Sequence, residues 1–170
     1  ADRIMRMRQM IVAQNDEQRR TALDYLLPMQ RQDFIDMFSL MGEHPMTIRL
    51  LDPPLHEFLP QDDDAIQKLA TSLEMSFESL KGAIKALQEL NPMMGHRGVR
   101  LAVTYPQIAQ MQTRAIIEAA ISVKQTHGVD VRPEIMVPLI SDVKELEYIY
   151  DLIVNEADMI IQESGIGLKY

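Results

Sequence analysis

"MTIRLLDPP" (residues 46–54) is the stretch on which the fold turns. A β-branched, apolar run is closed here by Pro53 and Pro54, which cannot donate to a ladder, so the pattern predicts a strand over residues 46–52. Side chains alternate along a strand, which sends Thr47, Arg49 and Leu51 one way and Ile48, Leu50 and Asp52 the other. Apolar residues on both faces are the mark of a parallel strand covered by helices on each side. Arg49 then stands in an apolar neighbourhood. An unpartnered buried guanidinium costs several kcal/mol, more than a well-packed leucine contributes, so Arg49 must meet an anion or reach water at the strand end. A structural ion pair with a carboxylate elsewhere answers that need as well as a bound ligand does.

Upstream, residues 3–13 read as a helix, and Asn15 followed by Asp16, Glu17 and Gln18 reads as the cap of a second. A third helix is expected over residues 30–41, around Phe34, Ile35 and Phe38, before "GEHP" breaks the pattern. Downstream, "QDDDAIQKLATSL" and a segment capped by Ser76, with Leu80, Ile84 and Leu87 on one stripe, predict a helical hairpin. Residues 98–103 are expected to form a second short strand. Thr104 and Pro106 open a helix with Ile108, Met111, Ala115 and Ala119 on its core face, and Gly128 ends it. "PEIMVPLI" (residues 133–140) is the third strand, and Ser141 or Asp142 caps a helix carrying Val143, Leu146, Ile149 and Ile153. "GIGLKY" reads as a turn into a further strand at residues 168–170.

Apolar strands each followed by a helix define an α/β protein with a parallel sheet, open or closed as a barrel. Three strands and a stub are fewer than a usual sheet holds, as expected of a piece cut from a larger barrel. Such a half-barrel exposes its sheet edges, and a dimer or higher homo-oligomer is expected from it.

Composition bounds the function. The chain has 170 residues, 46% hydrophobic and 25% charged, with no cysteine and a formal net charge of −8. That is one soluble domain or part of one, without a disulfide framework, a thiolate metal site or a cysteine nucleophile. The acidic balance argues against general nucleic-acid binding, which needs many Lys or Arg contacts to phosphates. The basic start, "ADRIMRMRQM", lacks a signal peptide's apolar core, and no run approaches the roughly 20 apolar residues of a membrane span, so a cytoplasmic location is expected.

Any anion site must therefore be local, and "NPMMGHRGVRL" (residues 91–101) is the candidate, the alternative being that such a basic loop is only a solvated one. Gly95 and Gly98 permit tight turns and close approach to a ligand, while Arg97 and Arg100 can each grip a carboxylate or phosphate with two prongs. Ligands of parallel α/β sheets bind beyond the carboxyl ends of the strands, near where Arg49 lies. His96 is a general acid/base or neutral donor by chemistry, but with no evident carboxylate beside it in sequence an orienting role has more to support it.

"TIRLLDPPLHEFLP" (residues 47–60), "NPMMGHRGVRLAVTYP" (91–106) and "RPEIMVPLI" (132–140) closely resemble the carboxy-terminal domain of the pyruvate, phosphate dikinase family of phosphoenolpyruvate-utilising enzymes. "LLPMQRQDF" (26–34) and "MQTRAIIEAA" (111–120) extend the resemblance over essentially the whole chain. It implies a partial (β/α)8 TIM barrel, roughly the second to fourth βα units, with residues 1–45 a helical lead-in and 46–170 the βα units of an incomplete phosphoenolpyruvate/pyruvate-binding domain. The family interconverts ATP, pyruvate and phosphate with AMP, phosphoenolpyruvate and pyrophosphate, through a phosphohistidine domain that swings between an ATP-grasp domain and the barrel. By motif, Arg49 and Arg97 fall on the arginines that hold the phosphoryl group, with His96 and Arg100 as pocket neighbours only. The family's Mg2+ carboxylates come from later strands and its acid/base cysteine from near the carboxy terminus; this sequence has no cysteine, no phosphohistidine motif and no glycine-rich ATP loop. The resemblance thus implies a segment that supplies phosphoryl-binding arginines but is inactive alone, partnered in the parent enzyme by phosphoenolpyruvate or pyruvate and by the parent chain's other domains. Phosphoenolpyruvate synthase and enzyme I of the sugar phosphotransferase system share the barrel and the arginine pair and match less closely. A non-catalytic module binding an acidic metabolite is the alternative from another class.

Overall fold

The computed structural model describes residues 2–88, 91 and 93–170. Its element order is α1 (Asp2–Ile11), α2 (Asp16–Met41), β1 (Pro45–Arg49), a 3-10 turn (Leu55–Phe58), α3 (Asp63–Ser72), α4 (Phe77–Leu87), α5 (Val99–Thr104), α6 (Pro106–His127), β2 (Arg132–Met136) and α7 (Val143–Ser164). The described residues are mixed α/β, mostly helical, with one small parallel sheet. No helix among them is long and apolar enough to cross a membrane.

The helix ends follow their caps. Asn15, Asp62 and Ser76 each accept a backbone N–H from the first turn of α2, α3 and α4. At α7, Asp142 and Glu145 form a reciprocal capping box, and the Ser141 N–H holds Glu145's carboxyl below its usual range. Gly128 closes α6 in the left-handed region at φ 67°, which a side chain would resist. The two helices expected between Asn15 and Met41 are instead one of 26 residues. Pro28 lies inside it and cannot donate to the carbonyl of Asp24, a cost that burial outweighs: Leu23 and Leu26 on one side of the proline and Phe34 and Phe38 on the other are all in the core.

The strand expected at residues 98–103 is also helical. Val99, Leu101 and Ala102 are buried, and Ala102 and Tyr105 donate to the carbonyls of Gly98 and Leu101, the helical i to i−4 pattern. A run this short carries no period to separate helix from strand. With α5 out of the sheet, β1 and β2 pair directly and in parallel, from Pro45 opposite Arg132 to Arg49 opposite Met136, and the Leu50 N–H extends the ladder to the Met136 carbonyl. The crossover between them runs through α3 to α6.

Among the described residues, helices cover one face of this sheet and not both. Ile48 is buried and Ile135 half-buried on the covered face, while Thr47 donates to Glu134 on the exposed one. Residues 168–170 make no strand: Tyr170 donates to Asp158 of α7, and Lys124 of α6 donates to the Gly167 carbonyl. Burial, then the bond to Asp158, pushes the Tyr170 hydroxyl up to about 12.

The core forms in three clusters. Met10, Leu23, Leu26, Leu80 and Leu101 anchor the first, which joins α1 to α4 with α5 and the start of α6. Phe38, Ile48, Leu50, Ile116, Val123 and Ile149 form the second, against the sheet. Ile117, Ile121, Ala157 and Ile160 join α6 to α7 in the third. Fully buried Ala115, Ala119 and Ala120 let α6 lie close to its neighbours, and Arg31–Glu118 and Arg114–Glu156 pairs run along its flanks.

Candidate functional site

The site forms where the chain leaves β1. After Arg49 the Leu51 N–H turns to the Gln112 side chain of α6 at 2.9 Å, and Asp52 follows just before the prolines. Because the strand ends at Arg49, its alternation no longer governs Asp52, whose carboxylate swings back to the arginine's side. Arg49 reaches Asp52 Oδ2 at 3.1 Å, and Arg97 reaches the same oxygen at 2.8 Å. The Arg97 Nε–H also donates to the Asp52 carbonyl at 3.3 Å. The two expected arginines thus converge from separate segments on one buried carboxylate, 6% exposed.

The two differ in environment. Arg49 is not in an apolar setting: its side chain is 60% exposed and spreads over the open sheet face, whereas Arg97 is 21% exposed. Two guanidiniums and one carboxylate sum to a single positive charge, so the trio still favours an anion. Asp52 Oδ1 is buried without a hydrogen-bond partner among the described residues. Asp52 was not among the residues singled out by motif, although an acid three residues after an arginine and directly before a double proline was a signal for it.

His96 and Arg100 serve the loop itself. Arg100 Nη1 donates to the carbonyls of Met94 and Gly95 at 3.1 and 3.0 Å. The Thr104 hydroxyl donates to the Arg100 carbonyl at 3.0 Å and stands 2.8 Å from His96 Nε2. The His96 ring also stands 5.9 Å from that of Tyr105. These bonds tie residues 94–96 to α5, next to Arg97.

Among the described residues no three His, Asp or Glu side chains are grouped to hold a metal ion. Asp52, already shared by two arginines, does not make a magnesium site. A cavity of about 490 Å³ lies among Arg6, Gln9, Tyr25 and Glu74, and an apolar one of about 430 Å³ among Ile135, Val137, Tyr150 and Ile153. Neither is lined by the arginine pair, which stands at an open surface; a guanidinium pair fixed by a shared carboxylate is the stronger sign of ligand chemistry than volume alone.

Arg49 ends a parallel strand on the edge where α/β folds bind their ligands, and residues 3–169 match the family model described as PEP-utilising enzyme, PEP-binding domain: the chain belongs to that family. It is 48% identical over 170 residues to the pyruvate, phosphate dikinase of Clostridium symbiosum, covering 100% of this chain and 20% of that protein. It is 52% identical over 169 residues to the pyruvate, phosphate dikinase of Rhizobium meliloti (strain 1021), covering 99% and 19%, and 46% identical over 170 residues to that of Giardia intestinalis, covering 100% and 19%. The chain therefore spans about a fifth of the length of these relatives.

Proposed function

We propose that this chain is part of a pyruvate, phosphate dikinase, and that Arg49 and Arg97 hold the phosphoryl group of phosphoenolpyruvate. The observation that carries the reading is the convergence of both guanidiniums on Asp52 Oδ2. A pair held in register before the ligand arrives loses little freedom on binding it. A phosphoryl group in transit spreads charge over its equatorial oxygens, which fixed guanidiniums stabilise more than they stabilise the resting ester. Metal coordination, phosphohistidine chemistry, ATP binding and proton transfer to the enolate fall to parts of the enzyme outside these residues. In this reading β1 and β2 are consecutive strands of a (β/α)8 barrel, with residues 1–45 the helical lead-in, and the enzyme is cytoplasmic.

Calorimetry of the 170-residue chain tests the proposal. Phosphoenolpyruvate should bind, inorganic phosphate should compete, and pyruvate, which has no phosphoryl group, should bind far more weakly. No heat with phosphoenolpyruvate overturns the reading. With Mg2+, pyruvate and a phosphorylated donor, no phosphoenolpyruvate should form; its formation would overturn the assignment of the metal and acid/base groups elsewhere.

Self-association is the companion proposal. Among the described residues both strands have an unpaired edge, and Met136, Ile140, Val143, Leu146 and Tyr150 stand exposed beside β2 and on α7. Light scattering should give a dimer or larger species at micromolar concentration, and a stable monomer would count against it.

A further inference from the structure

Arg97 needs something to hold its backbone, and the residue after it is packed unlike any other glycine whose surroundings are described. A Cβ built on Gly98 would lie 2.9 Å from the Pro138 carbonyl oxygen, 3.0 Å from Leu139 Cβ and 3.3 Å from Leu139 Cδ1. At Gly42, Gly82, Gly128, Gly165 and Gly167 the added atom would meet nothing within 4 Å. Gly98 also sits at φ 57°, ψ −130°, a conformation that L side chains rarely adopt. The glycine expected to let a ligand approach instead lets the protein's own backbone approach.

Two successive amides use that closeness. The Gly98 N–H donates to the Asp52 carbonyl at 3.1 Å, and the Val99 N–H donates to the Pro138 carbonyl at 2.9 Å. One bond ties the loop to the chain leaving β1, the other to the chain leaving β2. The residue after that second acceptor, Leu139, is itself left-handed at φ 59°, a cost that a side chain bears only where its surroundings dictate it. Since the Arg97 side chain bonds both the carbonyl and the carboxylate of Asp52, main chain and side chain at 97–98 take their position from one residue.

We infer that Gly98 and the left-handed Leu139 form a backbone clamp across the ends of both strands, which sets where Arg97 stands relative to Arg49. Gly98 and Leu139 are positioning residues and touch no substrate. The inference rests on the phosphoryl-binding reading above for its functional effect, but not for its structural one. Gly98→Ala drives Cβ against a backbone oxygen and demands a strained φ, so the loop must lift and Arg97 must lose its bonds to Asp52.

The test compares Gly98→Ala with Gly82→Ala as control, using phosphoenolpyruvate calorimetry, circular dichroism for folding and the NMR signal of the Arg97 Nε–H without ligand. Gly98→Ala should bind at least tenfold more weakly and shift the Nε–H signal while staying folded; Gly82→Ala should do neither. Adding Leu139→Gly to Gly98→Ala removes two of the three close contacts and should recover part of both. Should Gly98→Ala fail to fold, Leu139→Gly alone should still shift the Nε–H signal and weaken binding severalfold. An unmoved Nε–H signal overturns the clamp, as does wild-type affinity in Gly98→Ala when Arg97→Ala has lost binding. Wild-type affinity in Arg97→Ala overturns the phosphoryl reading instead, and leaves the clamp to be judged by the Nε–H signal.

Discussion

Arg97→Ala should weaken phosphoenolpyruvate binding about a hundredfold, since losing a charge-assisted contact at a half-buried site removes roughly 3 kcal/mol and each ~1.4 kcal/mol is tenfold. Arg49→Ala should cost less, nearer tenfold, because its side chain is 60% exposed and water screens it. Arg97→Lys should not restore binding, because a lysine cannot reach the Asp52 carbonyl and carboxylate together and still present a flat fork to a phosphoryl group. The Arg49 effect should shrink further as salt rises, and the Arg97 effect should hold. Calorimetry at two ionic strengths reads all four expectations, and unchanged affinity in both alanine variants would remove the pair from the site.

Phe38→Ala carries the largest expected loss of stability. Phe38 is 0% exposed, its ring centroid is 6.2 Å from that of Phe34, and it shares a cluster with Ile48 under the sheet and Ile116 of α6. Truncating a phenylalanine in such a place costs about 3–5 kcal/mol, a large part of the ~5–15 kcal/mol that holds a domain folded. The urea midpoint should fall steeply, or the chain should be unfolded at the outset. Leu40→Ala, two residues away but 88% exposed, should stay within about 0.5 kcal/mol of wild type. A midpoint for Phe38→Ala as high as that of Leu40→Ala would mean that the cluster is not the core.

What could be read in advance divides along physical lines. Helix ends were legible because caps are local chemistry: Ser76, Asp142 and Gly128 each act where a single side chain or a single backbone angle dictates. The parallel class was legible from apolar runs punctuated by proline. The nature of residues 98–103 was not, because so short a run fits either period, and the passage of α2 through Pro28 depends on two core clusters meeting one helix. At the site, guanidiniums in an acidic chain pointed to Arg49, Arg97 and Arg100 alike, and only the family resemblance singled out Arg49 and Arg97. Their shared Asp52 was hidden by the strand's alternation, which holds only as far as the strand itself.

The unbroken α2 has a wider consequence. At ~1.5 Å per residue it is a rod of about 39 Å, whose first half belongs to one hydrophobic cluster and whose second half belongs to another. Neither cluster can melt without stripping half of a helix that the other still needs. The two should therefore be lost in one cooperative transition, and the arginine pair, fixed on Asp52 where the chain leaves β1, inherits the stability of the whole molecule.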